Sequence, residues 1–166
     1  MPESSSVPDP DPAPGVPAGF QRRVSGGPYF RALGDIYWRP LDDGGGAVIA
    51  LRVAESHLNI QGFAHGGMLT TLADGALGTN IALVRAQRGG ERGGQVTVSM
   101  TADFLASARL GDWLEAHVTV TRLGQRLAYA NCDLKVGERH ILRSSAVFAF
   151  VDRPLPPAAQ AQLSDG

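Results

Sequence analysis

Hydrophobic and polar residues follow two different periods along this chain, and the two periods predict different elements. Between residues 96 and 151, apolar positions alternate with polar ones in four segments separated by Gly-containing turns, which is typical of β-strands. The segment 66–87 instead has apolar residues on nearly every side of a helical repeat. A helix that is apolar all round is a buried helix, so this segment is predicted to be one long helix in the core.

The residues before this helix predict two further strands. A short helix or turn around residues 28–33 leads into a strand candidate at 34–40, and a return strand is predicted at 47–54. Residues 42–46 read Asp-Asp-Gly-Gly-Gly, which is a turn signal that joins the two strands as a hairpin.

The predicted order is therefore two strands, one long helix and four strands. Short turns between the last four strands predict an antiparallel meander. In an α+β arrangement, a strongly curved antiparallel sheet that wraps around the helix buries the apolar faces of both the helix and the strands. This arrangement is the hotdog fold. A generic α+β sandwich would leave one side of the helix uncovered. Because covering the whole helix calls for a second protomer, we expect a dimer or a tetramer.

The two ends of the chain have few residues to bury. Residues 1–19 consist mainly of Pro, Ser, Asp and Gly, and residues 154–166 are similar in kind. Both are predicted to be tails, because they have too few apolar side chains for burial to compensate the entropy lost on ordering them. The folded domain is therefore expected at residues 20–153.

Composition and charge argue against several classes of function. The net charge of −1 gives no electrostatic reason to bind nucleic acid or an anionic membrane. The N-terminus lacks the pattern of a signal peptide, and no apolar run approaches membrane-spanning length. Cys132 is the single cysteine, so no intrachain disulfide can form. We expect a soluble, cytoplasmic protein without nucleic acid or membrane as a partner.

Candidate chemistry is concentrated in residues 59–74, which read NIQGFAHGGMLTTLAD. His65, Gly66 and Gly67 stand where the long helix begins. The first amides of a helix have no internal partner and lie at the positive end of its dipole. Glycine there lets a ligand oxygen approach the backbone, which suits a developing oxyanion. By themselves, however, these residues are better explained as an ordinary helix-entry turn.

Two polar residues of the same segment have open interpretations. Asp74 lies in the middle of an apolar helix, where a carboxylate is costly unless it has a partner. It could act as a general base or nucleophile, or it could occupy a solvated gap in the helix face, bonded to Thr70 or Thr71. The Asn59 amide can both donate to and accept from a water molecule, but Asn in such a loop more commonly forms an Asx-type turn.

Taken together, these residues resemble a known signature. The pattern Asn-x-x-Gly-x-x-His-Gly-Gly followed by Leu-Ala-Asp-x-Ala-x-Gly is similar to that of PaaI-type hotdog thioesterases, the phenylacetate-pathway family and its acyl-CoA relatives. In this chain the pattern consists of Asn59, Gly62, His65, Gly66, Gly67, Leu72, Ala73, Asp74, Ala76 and Gly78. The order and length of the elements extend the resemblance over about residues 34–151.

The resemblance implies a role for each site residue. Asp74 corresponds to the catalytic acid residue, a general base on water or a nucleophile, and Thr97 to a Ser or Thr that hydrogen-bonds that carboxylate. Gly66 matches the position whose backbone N–H polarises the thioester carbonyl. Asn59 matches a residue that helps to place the attacking water or the thioester, and His65 matches a histidine that orients the site and supports the leaving thiolate. The family's site lies at a dimer interface, with Asp74 and Thr97 from one protomer and Asn59 and Gly66 from the other.

The implied substrate is an acyl-CoA thioester, which is hydrolysed to acid and CoA without a metal or redox cofactor. Aromatic, medium-chain and long-chain acyl groups are all compatible with the sequence. Gly67 is a further candidate substrate contact. Arg85, Arg88 and Arg92 flank a Gly-rich loop that could reach the CoA phosphates, since Arg binds phosphate bidentately, although a solvated basic edge fits the same pattern equally well.

Other functions fit the sequence less well. A hotdog hydratase or dehydratase needs a catalytic His and a helix carboxylate at a different spacing, and a non-catalytic acyl-CoA-binding module would not need Asp74. His57, His117 and His140 lack metal-ligand spacing and are predicted to be surface or strand residues. No Gly-x-Ser-x-Gly elbow is present, so a serine hydrolase is not expected.

Overall fold

The elements of the computed structural model follow the predicted order, with one short strand added. The structure describes residues 15–23, 26–42, 44–90 and 94–151. Its elements are β1 (Gln21–Arg22), α1 (Pro28–Arg31), β2 (Tyr37–Pro40), β3 (Ala47–Arg52), a 3-10 turn (Glu55–His57), α2 (Gly66–Gln87), β4 (Gly94–Phe104), β5 (Trp113–Leu123), β6 (Leu127–Val136) and β7 (Arg139–Val151). The long helix has the bounds that the sequence predicts.

Seven strands in the described residues form one antiparallel sheet, in the order β1-β2-β3-β5-β6-β7-β4. β5, β6 and β7 form the predicted meander, but β4 pairs with β7 at the far edge of the sheet. The prediction of a four-strand meander was therefore wrong. The reason is that α2 carries the chain from β3 across the sheet to its far edge, and residues 105–112 return it to β5, which pairs with β3.

α2 buries one face against the sheet, where it contacts β3, β4, β5, β6 and β7. Its buried residues recur at helical spacing and are Met68, Leu69, Leu72, Ala73, Ala76, Leu77, Asn80, Ile81 and Val84. The other face is only half-buried and carries small and polar residues, namely Thr70, Thr71, Asp74, Gly75, Gly78 and Thr79. The prediction of a helix buried on every side was thus wrong for this second face, which borders a cavity.

Asn80 fixes the rotation of α2 about its own axis. The residue is 2% exposed, and its amide oxygen accepts from the Ala47 N–H at 2.8 Å. Its amide nitrogen donates to the carbonyls of Ala47 and Ala76, at 3.0 and 2.9 Å. A buried amide with these partners gives a directional link between α2 and β3. The helix therefore cannot turn Asp74 away from its position without breaking this network.

The described chain begins before the predicted start of the domain. The Gly15 carbonyl accepts a hydrogen bond from the Arg52 guanidinium, and Phe20 meets Trp113 edge-on with ring centroids 5.2 Å apart. Residues 1–14 and 152–166, which make up most of the two predicted tails, lie outside the described residues. The limits 20–153 therefore stay a prediction. Within the described part, neither helix combines the length and apolarity that crossing a bilayer requires.

Candidate active site

Asp74 and Thr97 are in direct contact, although they lie on different elements. The Thr97 hydroxyl donates to Asp74 Oδ1 at 2.7 Å, from β4 to the half-buried face of α2. The alternative partners, Thr70 and Thr71, instead donate to helix carbonyls one turn earlier, each at 2.8 Å. The carboxylate is therefore held from the sheet and not by its own helix.

A β-bulge in β4 turns Thr97 toward the helix. The pairing of β4 with β7 changes register between Thr97 and Ser99, which makes Val98 an extra residue. Simple alternation along residues 96–104 would place Thr97 and Met100 on opposite faces, yet both line the same cavity. The predicted alternation was wrong at the start of this strand, because one inserted residue reverses the facing of all residues before it.

A cavity of about 630 Å³ opens beside the Asp74 carboxylate. Its walls come from α2, from β4 and β7, and from the segment that contains α1. Phe30, Met100 and Phe148 line it with apolar surface, and its polar side chains are Asp74, Thr97, Thr70, Thr71, Thr79 and Gln95. A cavity that combines aromatic and other apolar side chains with a few polar groups is typical of a small-molecule site.

One of two glycines on this face of α2 lets an aromatic ring approach the helix beside the carboxylate. A methyl group at Gly75 would overlap the Phe30 ring, and one at Gly78 would lie 3.5 Å from Phe148 Cε1. Gly75 is therefore required for the position of Phe30, whereas Gly78 leaves ordinary clearance to Phe148. Phe30 was missed in the sequence, because a single aromatic residue in a short segment before the first predicted strand carries no periodic signal.

His65 caps the N-terminus of α2. Its ring Nδ1 accepts from the Gly67 backbone N–H at 2.9 Å, and its backbone N–H donates to the His57 carbonyl at 2.8 Å. The accepting nitrogen carries no proton, so Nε2 carries the proton of the neutral ring. The Gly66 N–H is the first of the helix and has no acceptor within it, and a methyl group at Gly66 would lie 3.2 Å from the Phe104 ring. The turn is thus an ordinary helix entry, and the contact of the Gly66 N–H with a thioester carbonyl stays a prediction.

Asn59 forms an Asx-type turn in the loop before α2. Its Oδ1 accepts from the Gln61 N–H at 2.9 Å and from the Phe63 N–H at 3.2 Å. The loop therefore uses the oxygen of this amide, and the NH2 group is the part that can donate to a water or a thioester. The turn and the role implied by the resemblance are compatible, because they use different atoms.

Asp74 and Gly66 cannot serve one carbonyl within one chain. They are eight residues apart on α2. A helix rises about 1.5 Å per residue, so about 12 Å separates them along its axis. A general base and an oxyanion donor must each lie about 3 Å from the reacting groups. One chain therefore holds two separate halves of such a site.

Arg85 and Arg88, two of the three arginines predicted to flank the CoA-binding loop, lie at the far end of α2. Arg88 follows the last helical residue and is exposed. Arg85 stacks on Phe150, with its guanidinium carbon 3.9 Å from the ring centre. Arg92 lies outside the described residues. Because the C-terminus of a helix is the negative end of its dipole, it gives no help to phosphate binding, and the contact of Arg88 with CoA stays a prediction.

His57 is buried, and its prediction as a surface or strand residue was wrong. It is 5% exposed, its Nδ1 accepts from the Ala54 N–H at 2.9 Å, and its Nε2 lies 2.8 Å from the Leu33 carbonyl oxygen. Both ring nitrogens thus have backbone partners, which explains how a polar ring is accommodated in the interior. The ring links the turn after α1 to the loop that leads into α2.

Comparison with known sequences gives consistent matches. Residues 61–142 match the family model described as "Thioesterase superfamily". The protein of Pseudomonas aeruginosa named "Putative esterase PA0474" is 44% identical over 133 residues, which cover 80% of this chain and 96% of that protein. Human acyl-coenzyme A thioesterase 13 is 31% identical over 90 residues, which cover 54% of this chain and 61% of that protein.

Solved structures of PaaI proteins share the fold. A variant of the phenylacetic acid degradation protein PaaI from Thermus thermophilus matches with a TM-score of 0.64 and 26% identity, over 75% of this chain and all of that one. PaaI from E. coli matches with a TM-score of 0.64 and 25% identity, over 75% of this chain and 84% of that one. On this evidence the chain belongs to the thioesterase superfamily, as a PaaI-type thioester hydrolase with the hotdog fold.

Proposed function

We propose that this protein hydrolyses acyl-CoA thioesters to a free carboxylic acid and CoA, with Asp74 as its catalytic carboxylate. The observation that carries the proposal is the Asp74 carboxylate itself, held by Thr97 in the wall of a cavity that also presents the apolar side chains of Phe30, Met100 and Phe148. One carboxylate oxygen is oriented by the hydroxyl, which leaves the other for the reaction. Similarity to human acyl-coenzyme A thioesterase 13 supports CoA as the thiol part of the substrate.

Two routes are open to Asp74, and both end in cleavage of the carbon–sulfur bond. As a general base, the carboxylate takes a proton from water while the water oxygen attacks the thioester carbon. As a nucleophile, it attacks that carbon directly and forms an anhydride, which water then hydrolyses. In both routes charge builds on the carbonyl oxygen near a Gly66 N–H, and CoA leaves as a thiolate that takes up a proton. An anhydride trapped on Asp74 by rapid quenching and detected by mass spectrometry would identify the nucleophilic route.

We propose that a complete site requires two copies of the chain in a dimer. Asp74 and Gly66 of one chain are too far apart to act together, so the second half must come from elsewhere. β4 borders β7 on one side and no strand of the described residues on the other, and its Val96 and Val98 are 49% and 59% exposed. A long apolar edge strand pairs readily with another strand. Pairing of β4 with its copy covers these residues, and the second protomer then supplies Asn59 and Gly66, as the resemblance implies.

Sedimentation velocity at several protein concentrations tests this assembly and separates a dimer from a tetramer of two dimers. Val98→Lys places a charge on the exposed edge and is expected to shift the population toward monomer, together with loss of activity. A monomeric wild-type protein with full activity would contradict the two-chain site.

The state of Cys132 bears on both location and assay. The residue is fully buried, and burial, followed by the charge of Asp133, raises the pKa of its thiol to about 12. The folded protein therefore contributes no background to an assay that detects released CoA thiol. A single unpaired thiol suits a reducing compartment, and we propose a cytoplasmic location.

A thiol-release assay with aromatic, medium-chain and long-chain acyl-CoAs tests the proposed activity. We expect CoA release by the wild type from at least one of these classes, and loss of nearly all of it in Asp74→Asn, which keeps the size of the side chain. Asp42→Asn is the matched control, because Asp42 is an exposed carboxylate in the turn between β2 and β3. An Asp74→Asn protein that keeps most of its kcat, or a wild type inactive on all three classes, would contradict the proposal.

A further inference from the structure

Phe30 stands directly beside the proposed catalytic carboxylate. It lies on the four-residue helix α1, and its ring is seated on Gly75, the neighbour of Asp74 in sequence. All three residues line the same cavity. Glycine inside a helix is unfavourable relative to alanine, and the contact with Phe30 accounts for glycine at this position, because a methyl group there would occupy the space of the ring.

Two further apolar residues of the cavity wall belong to the sheet. Met100 lies on β4 and Phe148 on β7, and these two strands are paired. Phe148 is 3% exposed and belongs to the core, against which Met100 also packs. Repacking such residues is costly, so this wall has a fixed shape. The opposite wall comes from α1, where Tyr29 is 77% exposed and Phe30 is the ring that lies against Gly75. An apolar group that enters the cavity beside Asp74 must fit between the Phe30 ring and the sheet.

His57 anchors the turn that carries Phe30. The Leu33 N–H donates to the Phe30 carbonyl at 3.1 Å, and the Leu33 carbonyl oxygen lies 2.8 Å from the buried His57 ring. The His57 carbonyl in turn accepts from the His65 N–H, at the start of α2. Phe30 is thus tied to the same framework that holds the helix entry, which makes it a fixed boundary of the cavity.

We propose that Phe30, seated on Gly75, is the residue that limits how far an acyl chain extends past the Asp74 carboxylate. The inference rests on the proposed function, because it takes this cavity as the acyl pocket. Acyl groups that end at the Phe30 ring fit the wild type, and longer ones meet the ring. Removing the ring opens apolar space, and each further methylene that is buried there should improve binding by about fourfold.

Two measurements on a series of saturated acyl-CoAs of increasing length test this limit. The first is kcat/KM for the wild type, Phe30→Ala and Tyr129→Ala. The second is calorimetric binding of the unhydrolysed acyl-CoAs to Asp74→Asn and to Asp74→Asn/Phe30→Ala. In both measurements we expect Phe30→Ala to move the optimum to longer acyl chains. For two or three added methylenes, the kcat/KM or binding constant of the longer acyl-CoA relative to that of the shorter one should rise about tenfold or more. Tyr129→Ala, which removes a 38% exposed ring from β6 that does not line the cavity, should leave the optimum unchanged.

The contact with Gly75 has its own signature. Gly75→Ala forces the Phe30 ring away and is expected to lower Tm and acyl-CoA binding, whereas in the Phe30→Ala background the added methyl group has space and should have little effect. Residues in contact show such non-additivity, and distant ones do not.

The outcomes separate this inference from the proposed function. Hydrolysis by the wild type with the same length dependence in Phe30→Ala would overturn the role of Phe30 and leave the thioesterase intact. If removal of Phe30 lets Asp74→Asn bind longer acyl-CoAs, but neither the wild type nor Phe30→Ala hydrolyses any acyl-CoA, the role of Phe30 in the pocket is supported and the proposed thioesterase activity is contradicted. Absence of acyl-CoA binding to both Asp74→Asn proteins would overturn the inference outright.

Discussion

Replacing Thr97 with Val removes the hydroxyl that holds Asp74 and changes little else. Val has nearly the shape of Thr and suits a β-strand at least as well, so β4 and its bulge should persist. The lost hydrogen bond is 2.7 Å long, and its acceptor is a carboxylate. Hydrogen bonds to charged groups contribute about 1.5–3 kcal/mol. Because Thr97 is exposed in the single chain, the lower end of this range applies.

About 1.5 kcal/mol of lost transition-state positioning corresponds to roughly a tenfold lower rate. We therefore expect kcat of Thr97→Val to fall about tenfold with KM nearly unchanged, in a thiol-release assay on an acyl-CoA that the wild type hydrolyses. Thr97→Ser is the matched control, because it keeps the hydroxyl and loses only a methyl group, and it should keep most of the activity.

Circular dichroism and Tm must show that both variants are folded before the rates are compared. A folded Thr97→Val protein with the kcat of the wild type would refute the positioning of Asp74 by this hydroxyl. Equal losses in the Val and Ser variants would also refute it, since they would assign the effect to packing of the methyl group.

Three further outcomes follow from the same structure. Asn59→Asp keeps the oxygen that accepts from the loop backbone and loses the NH2 donor, so activity should fall by about 10–100-fold while Tm changes little; unchanged activity would make Asn59 a loop residue only. Gly66→Pro should remain folded, because Pro suits the first helical position and His65 already has the extended backbone that precedes Pro, with φ −65° and ψ 133°. Loss of the oxyanion donor should lower kcat by about 10²–10³-fold. A folded variant with normal turnover would exclude this amide as the group that polarises the carbonyl. Although partial burial opposes the effect, hydrogen bonds from Arg143 and His140 hold the pKa of Asp133 below its usual value of 3.8. A carboxyl group whose pKa is lower in the folded state stabilises the folded protein at pH values above its unfolded-state pKa, and this stabilisation is lost as the pH falls through the folded-state pKa. Asp133→Asn should therefore lower Tm at neutral pH and have progressively less effect below pH 3.8. A Tm difference independent of pH would contradict this.

The sequence predicts the elements of this fold well and their pairing less well, for a physical reason. α2 has its predicted bounds because a long apolar segment between Gly-rich stretches has few alternatives, and alternation identifies β4 to β7 as strands. Alternation records which face of a strand is buried but not which strand lies beside it. The neighbour of β4 depends on the path of α2 across the sheet, and this path leaves no periodic signal.

The site shows the same division between local and distant information. Residues 59–74 carry their pattern in one continuous segment, so the candidate residues could be named from the sequence. The contact of Asp74 with Thr97 depends on a bulge at Val98, which alternation cannot reveal because an apolar residue fits either side of the strand. Phe30 reaches the cavity only through the tertiary placement of α1, which leaves no periodic pattern in the sequence.

The most direct test of the two-chain site is complementation between two impaired proteins. Asp74→Asn and Asn59→Asp proteins are mixed in equal amounts, subunit exchange is verified by native mass spectrometry, and CoA release is measured. If one protomer supplies Asp74 and the other Asn59, half of the dimers are mixed and each has one intact site, so activity should rise to about a quarter of the wild-type value. Mixing Asp74→Asn with Thr97→Val is the control, because both changes fall in the same half of the site and no fully intact site forms. Recovery to about a quarter in the first mixture alone supports the account, and verified exchange without any recovery would contradict it.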